Sequence, residues 1–177
     1  MHSFGFDPIA DLNARVIVLG SLPGRISLEQ QQYYAQPHNA FWKIMGHLFG
    51  AQPNDPYQTR IATLKKCNIA LWDVCASAYR PGSLDSAISL TTVKPNDIAG
   101  FLLLHRKIGV ICFNGSKAEA LYRRLVIPHL SEAHQGLQYE LLPSTSAAHA
   151  SMPIAEKLRR WSVVRRASMG MPTAIVD

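Results

Sequence analysis

The stretch Val16-Ile17-Val18-Leu19 is an unbroken apolar run that ends at Gly20. A run of this kind is typical of a strand that is buried on both faces, as the strands of parallel sheets are. Similar runs recur along the chain, and the last of them is weaker than the others. The four candidate strands are 16–19, 69–72, 108–113 and 138–142.

Helical patterns separate these runs. The clearest one follows Asn39, which can cap a helix, and it carries apolar residues at helical spacing until Gly50 ends it. The segment from about 74 to 92 contains Pro, Gly and several Ser and Thr residues, and it predicts a long irregular connection. The helices are expected over 39–49, about 56–66, 95–104, about 116–125 and 153–168.

The alternation of strands and helices predicts an α/β fold of three layers, with a central, mainly parallel four-stranded sheet between helices. Residues 1–177 are expected to form a single domain. In such sheets ligands bind at the carboxyl ends of the strands. The segments expected there are 20–24, 72–73, 113–115 and 142–146.

The composition favours a polyanionic partner such as a nucleic acid. The chain has 18 Lys and Arg residues against 12 Asp and Glu residues, a formal net charge of +6. Its 47% hydrophobic and 17% charged residues are typical of a folded protein and exclude a disordered or collagen-like one.

Cysteine usage and hydropathy indicate the cytoplasm. None of the three cysteines lies in a CxxC pair, which fits a reducing compartment. The first residues lack the pattern of a secretion signal, and no window of 18 apolar residues predicts a membrane span. No metal or other cofactor is expected, because the His and Cys residues show no ligand spacing. A monomer is expected.

The Gly20–Gly24 segment, with the sequence GSLPG, lets the backbone approach a ligand closely or forms a plain tight turn. It is neither a P-loop nor a GxGxxG motif, which counts against nucleoside triphosphate hydrolysis and dinucleotide binding. Asn39 is either a helix cap or a carboxamide that orients a water molecule beside a flat heterocycle. Asn114 either forms a turn with Gly115 or reads a lactam edge, a ring carbonyl next to a ring N–H.

Two further features suit phosphate groups. The segment Ser144-Thr145-Ser146 places three hydroxyls around one turn, which fits phosphate oxygens or a helix cap. The last helix carries five cations, which form either a solvated face or a surface for the phosphate backbone. Those five are Lys157, Arg159, Arg160, Arg165 and Arg166.

Taken in order, several short motifs spread over residues 16–160 form a specific set. They are Val18-Leu19-Gly20-Ser21-Leu22-Pro23-Gly24, Ser27-Leu28, Tyr33-Tyr34-Ala35, Pro37, Asn39-Ala40-Phe41-Trp42, Leu71-Trp72-Asp73-Val74, Gly82-Ser83-Leu84-Asp85, Phe113-Asn114-Gly115 and Leu142-Pro143-Ser144-Thr145-Ser146. The set resembles the uracil-DNA glycosylase superfamily, most closely its hypoxanthine-DNA (deoxyinosine) glycosylase branch. The resemblance implies the fold of that superfamily and a monofunctional base-excision activity on DNA that contains deaminated bases.

The departures from the wider superfamily are informative. Leu22 stands where the classical uracil enzymes carry an Asp or Asn, and Leu142 stands where they carry a His. The hypoxanthine branch is similar to this chain in lacking both groups, and its catalytic carboxamide corresponds to Asn39. The chain departs from that branch at Ser146-Ala147-Ala148-His149, where Ser-Pro-Ala-Asn is common.

The resemblance and the strand-end positions together predict three groups of site residues. Asn39 is expected to be catalytic, with Phe41 stacking on the base and Asn114 reading its edge. The residues expected to bind the base are Ser21, Leu22, Pro23, Gly24, Phe41, Asp73 and Asn114. Those expected to bind DNA, or to fill the gap that a flipped base leaves, are Ser144, Thr145, Ser146, His149, Met152 and Arg159.

Three alternatives stay open on the sequence. A mismatch-directed uracil- or thymine-DNA glycosylase would read a similar lactam edge. A non-catalytic protein that binds damaged or single-stranded DNA would use the same basic face and aromatic residues. A hydrolase of free nucleosides would act without the salt dependence that DNA binding imposes.

Overall fold

The computed structural model describes residues 2–82 and 84–174, and at its centre lies a parallel sheet of four strands. Its strands are β2 (Val16–Gly20), β3 (Ile69–Asp73), β6 (Val110–Asn114) and β7 (Gln138–Leu142). Their order in the sheet is β3-β2-β6-β7, and all three neighbouring pairs are parallel. The predicted four-stranded parallel sheet is therefore confirmed.

Helices cover the sheet on both faces. Alternate residues of the strands point to opposite faces, so Val16 and Val18 of β2 join one apolar layer while Ile17 and Leu19 join the other. The first layer contains residues of α2 (Phe41–Phe49), α3 (Tyr57–Lys66) and α6 (Ile154–Ser168). The second contains residues of α4 (Ile98–Leu104) and α5 (Ser116–Leu125). The three-layer arrangement is confirmed.

The prediction of a long irregular connection between residues 74 and 92 is partly wrong. A second, antiparallel sheet of three short strands has the order β1-β4-β5. Its strands are β1 (His2–Phe4), β4 (Cys75–Tyr79) and β5 (Lys94–Pro95). The local sequence pattern did not predict β4, because this strand is built of Ala, Ser and Cys with one Tyr. Its partner β1 also lies more than seventy positions earlier in the chain.

Helix boundaries differ from the expected ones by a few residues. The helix expected from Asn39 begins at Phe41, and the one expected from 95 begins at Ile98, with the Asp97 carboxylate accepting the Gly100 N–H at 2.9 Å. A short helix that the sequence pattern did not reveal, α1 (Arg25–Gln30), follows the GSLPG segment. None of the helices in the described part of the chain is both long and apolar enough to cross a membrane.

Trp161 joins α6 to the loop that follows β7. Its ring is fully buried, it meets the Phe41 ring edge-on with centroids 6.0 Å apart, and its Nε1 donates to the Pro143 carbonyl at 2.9 Å. This contact holds the end of β7 against the helical layer.

We expect Trp161→Phe to lower the free energy of unfolding by about 2 kcal/mol, since it leaves a small cavity and removes the donor to Pro143. Urea unfolding measures this as a lower midpoint at an unchanged m value. Leu104→Ala, at a side chain that is 73% exposed, is the control and should change the midpoint little. Equal midpoints for Trp161→Phe and the wild-type protein would contradict the structural role of this residue.

Candidate functional site

The carboxyl ends of three neighbouring strands bring Asp73, Gly20 and Asn114 to one level of the sheet. Gly20 pairs with Asp73, and Leu19 pairs with Phe113, the residue before Asn114. Because strands lie about 4.8 Å apart, the carboxylate and the carboxamide belong to backbones about 10 Å apart, with Gly20 between them. Residues in register on parallel strands share a face, so both side chains flank the glycine.

Gly20 leaves space that the neighbouring side chains use. A Cβ at this position would lie 2.9 Å from the Tyr34 hydroxyl and closer still to the Asp73 Oδ1 atom. Any larger residue would push these two groups aside. The glycine that ends the first apolar run is therefore required by the packing of Asp73 and Tyr34 and not only by the turn.

A cavity of about 480 Å³ opens at this edge of the sheet. It lies among all four strand-end segments and the loop before α2. Its wall includes eleven of the predicted site residues: Ser21, Leu22, Pro23, Gly24, Asn39, Asp73, Asn114, Ser144, Thr145, Ser146 and His149. Leu84 also lines it, while Ser83 of the same motif lies outside the described residues.

Two tyrosines, Tyr33 and Tyr34, line the cavity, and Phe41 does not. Phe41 is fully buried and does not line the cavity, and the Tyr34 ring stacks on it with centroids 4.1 Å apart and planes 23° apart. Phe41 also meets Trp42 and Trp161 edge-on, so its remaining surroundings are core. Phe41 therefore lies behind Tyr34 in the core, and its stacking on a base stays a prediction.

Met152 and Arg159 do not line this cavity. Met152 lines a larger groove next to it. The Arg159 guanidinium lies on the exposed surface of α6, where it donates to both carboxylate oxygens of Glu156 at 2.7 and 2.9 Å. Hydrogen bonds from Arg159 and Arg160 lower the pKa of Glu156 to about 2. Two of the five cations of α6, Arg159 and Arg160, are therefore paired with one carboxylate on the exposed surface of the helix.

Thr145 holds the Asn114 carboxamide in one orientation. Its backbone N–H donates to Asn114 Oδ1 at 2.9 Å, and its Oγ1 accepts from Asn114 Nδ2 at 2.8 Å. A backbone N–H can only donate, so the oxygen of the carboxamide must face it. One N–H and one lone pair of the carboxamide then remain for a ligand.

Asn39 is tied to the same residue through the backbone. The Ala40 N–H donates to the Thr145 carbonyl at 2.9 Å, and Asn39 Oδ1 accepts the Phe41 N–H at 3.0 Å. Asn39 is half-buried at the cavity wall. Its Oδ1 keeps one lone pair and its Nδ2 keeps both protons, so the side chain retains the capacity to hold a water molecule or a sugar oxygen.

Two buried cations support the cavity loops from behind. Arg80, 2% exposed, donates to the carbonyls of Leu22 and Pro23. Lys157, 4% exposed, donates to the carbonyls of Ser144 and His149, both at 2.9 Å, and its burial lowers its pKa. No sequence signal distinguished Arg80, because a single arginine in a connecting segment has no diagnostic pattern.

Binding a carbonyl fixes the direction of the peptide unit to which it belongs. A trans peptide is planar, and its N–H points opposite to its C=O. The Pro23 carbonyl is bound by Arg80, so the Gly24 N–H of the same peptide points away from that guanidinium. Arg80 and Lys157 thus fix the directions of the loop peptide units whose carbonyls they bind.

These features define an α/β protein with a polar cavity at the carboxyl edge of its sheet, lined by two carboxamides and Tyr34. The sequence model of the uracil DNA glycosylase superfamily matches residues 6–164. The chain belongs to the uracil DNA glycosylase superfamily.

Individual relatives extend the comparison. The chain is 38% identical over 149 residues to a hypoxanthine DNA glycosylase of Methanosarcina acetivorans, covering 82% of this chain and 87% of that protein. It is 36% identical over 122 residues to a hypoxanthine DNA glycosylase of Methanosarcina barkeri, covering 67% and 74%. The solution structure of a Methanosarcina acetivorans protein assigned to the uracil DNA glycosylases matches with a TM-score of 0.77 at 35% identity, over 94% of this chain and 99% of that one.

We expect Thr145→Val to lower the free energy of unfolding by about 1–3 kcal/mol, because it leaves the Asn114 N–H without its buried acceptor. In an Asn114→Ala background the same change should cost less, since no N–H then lacks a partner. Urea unfolding of the two single variants and the double variant measures the coupling between the residues. A coupling energy below about 0.3 kcal/mol would contradict the assigned hydrogen bond.

Proposed function

We propose that this protein is a DNA repair glycosylase that hydrolyses the N-glycosidic bond of deoxyinosine in DNA and releases hypoxanthine. One observation carries the proposal: Asn39, Asn114 and the Tyr34 ring share a single cavity, in which each can meet a different part of one flipped nucleotide. Membership of the superfamily and the activity named for the two archaeal relatives support it.

The base enters the cavity flipped out of the duplex, at a cost of a few kcal/mol in lost stacking and pairing. The Tyr34 ring offers a stacking surface that replaces part of this loss. Asn114 donates its remaining N–H to the ring carbonyl of the lactam. Asp73 binds the base from the opposite side of Gly20, and residues 21–24 contact it through their backbone.

Cleavage places positive charge on the sugar and negative charge on the departing base. Preorganised donors stabilise such a developing anion more effectively than mobile ones. The Asn114 amide, held by Thr145, and the backbone N–H groups of residues 21, 22 and 24, in the segment held by Arg80, are donors of this kind. Their positions do not depend on the ligand, because buried groups of the protein itself hold them.

The attacking water is positioned by Asn39. Leu22 has no group that can bind water, and Asn39 reaches the cavity from the side of α2, away from the sheet edge that holds the base. A carboxamide orients water without removing its proton, so this mechanism depends on a sugar that has already gained positive charge. Among the described cavity-lining residues there is no lysine to form an adduct with the sugar, which supports direct hydrolysis.

The loop after β7 contacts the DNA backbone. Ser144 Oγ accepts the Ser146 N–H at 3.2 Å, and Ser146 Oγ accepts the Ala148 N–H at 3.3 Å, so the loop forms a compact turn that leaves hydroxyl protons for phosphate oxygens. His149, exposed at the end of this turn, and Met152 fill the gap left in the duplex.

Release of uracil is a second candidate activity. The structural relative is assigned to the uracil DNA glycosylases, and uracil presents a lactam edge like that of hypoxanthine. A set of duplexes that each contain one altered base separates the two activities by their relative rates of base release.

We expect Asn39→Ala to slow hypoxanthine release by a factor of about 100 or more, because a reacting water that is no longer held in position reacts about that much more slowly. Single-turnover release from a deoxyinosine duplex, with enzyme in excess, is the measurement. Asn13→Ala, at an exposed amide far from the cavity, is the matched control and should retain the wild-type rate. Near-normal release by Asn39→Ala would assign the water-positioning role to another residue.

We expect Tyr34→Leu to weaken binding of a duplex containing 2′-fluoro-deoxyinosine, whose fluorine slows glycosidic cleavage, by about 1–3 kcal/mol. Tyr34→Phe keeps the ring and should bind nearly normally. Phe41→Leu should mainly reduce stability, because this ring lies in the core. Fluorescence anisotropy titrations measure the affinity of each variant for this duplex. Equal affinities of Tyr34→Leu and Tyr34→Phe would refute the stacking role of Tyr34.

A further inference from the structure

A second groove, of about 920 Å³, adjoins the base cavity. It lies between α2 and the segment that leads from the β7 loop into α6. The two depressions have six wall residues in common: Tyr34, Gln36, Asn39, Thr145, Ser146 and Ala147. Asn39 therefore stands at the junction, with the base cavity on one side and the groove on the other.

The groove carries charge of one sign. Its described lining includes the cations Lys43, Arg60 and Lys157 and no carboxylate. Two acidic residues lie close to these cations without lining the groove. The Asp55 carboxylate accepts the Gln52 N–H at 2.9 Å, and the Glu156 carboxylate is bound by Arg159 and Arg160.

Two of the three cations are held in place. The Arg60 guanidinium lies over the Trp42 ring, 4.5 Å from its centroid, and donates to the Asp55 carbonyl and to Gln32 Oε1. Lys157 binds the two loop carbonyls described above. Both side chains are buried, so water screens their charges less than it screens surface charges.

Lys43 is different, because it is exposed on the first turn of α2. A long exposed lysine can reach a phosphate at the groove, as an ammonium acts on phosphate as a point charge. Side-chain amides complete the groove wall and can donate to phosphate oxygens or to base edges. They are Gln30, Gln32, Gln36, Gln52, Asn39 and Asn54.

We propose that this groove binds the sugar-phosphate backbone of the damaged strand on one side of the flipped nucleotide, with Lys43 paired to a phosphate. The inference rests on the proposed function, because it takes Asn39 as the position of the reacting sugar. A DNA strand whose reacting sugar lies at Asn39 must leave this point through one of the two depressions that meet at Asn39. The groove is the depression whose described wall combines cations, donor amides and no acid.

The test measures the salt dependence of binding to a duplex containing 2′-fluoro-deoxyinosine. Each phosphate contact contributes about 0.9 to the slope of log K against log salt concentration. Lys43→Ala should lower the magnitude of that slope by about this amount. Lys66→Ala, at an exposed lysine of α3 that lines neither depression, is the matched control and should leave it unchanged.

Shortened DNA identifies the side of the strand. Duplexes are trimmed on the 5′ or the 3′ side of the analogue, and binding of wild-type protein and Lys43→Ala is compared on each. Trimming the side that occupies the groove should weaken DNA binding by the wild-type protein. It should also abolish the difference in affinity between the wild-type protein and Lys43→Ala. Equal effects of the lysine substitution on all duplexes would overturn the proposal, as would an unchanged salt slope for Lys43→Ala.

Base release by the wild-type protein separates this inference from the function on which it rests. If the wild-type protein releases no altered base at high enzyme excess, the proposed function fails. If it releases hypoxanthine while the salt slope of Lys43→Ala equals that of the wild-type protein, only the groove assignment fails. Thermal unfolding of both lysine variants checks that the exposed substitutions leave the fold intact.

Discussion

Thr145 connects the parts of the site through three hydrogen bonds. Its N–H and its hydroxyl hold the Asn114 carboxamide, and its carbonyl accepts the Ala40 N–H beside Asn39. Asn114 ends the strand β6 and Asn39 precedes the helix α2, so neither element by itself sets the distance between the two carboxamides. One buried residue in the loop after β7 sets it, because its backbone and side chain bind both neighbours at once.

The support for the cavity loops comes from groups that are costly to bury. An ammonium or guanidinium loses its hydration inside a protein and must be compensated by acceptors. For Arg80 and Lys157, loop carbonyls provide this compensation, and the loops are held in return. As a result, two positive charges lie behind the cavity loops and the loop carbonyls that they bind are occupied.

Particular residues show where a reading of sequence succeeds and where it fails. The strand ends were located correctly because each of the three buried apolar runs stops at a glycine or a polar residue, and eleven predicted site residues line one cavity. For Phe41 and Arg159 the sequence left the neighbouring residues unknown, for a common reason. An aromatic ring near a helix start and an arginine on a helix give no local sign of which neighbour they meet. Phe41 is covered by Tyr34, and Arg159 is paired with Glu156.

By itself, the sequence determined the layered α/β fold and the edge of the sheet where the site lies, because both follow from the periodicity of apolar residues along the chain. It also determined the superfamily through ordered short motifs. Only the tertiary structure decided that Tyr34 faces the cavity, that Arg80 and Lys157 support its loops, and that β1 pairs with β4. Each of these facts depends on contacts between residues that are far apart in the chain. A local sequence pattern does not report such contacts, because it contains only residues that are close in sequence.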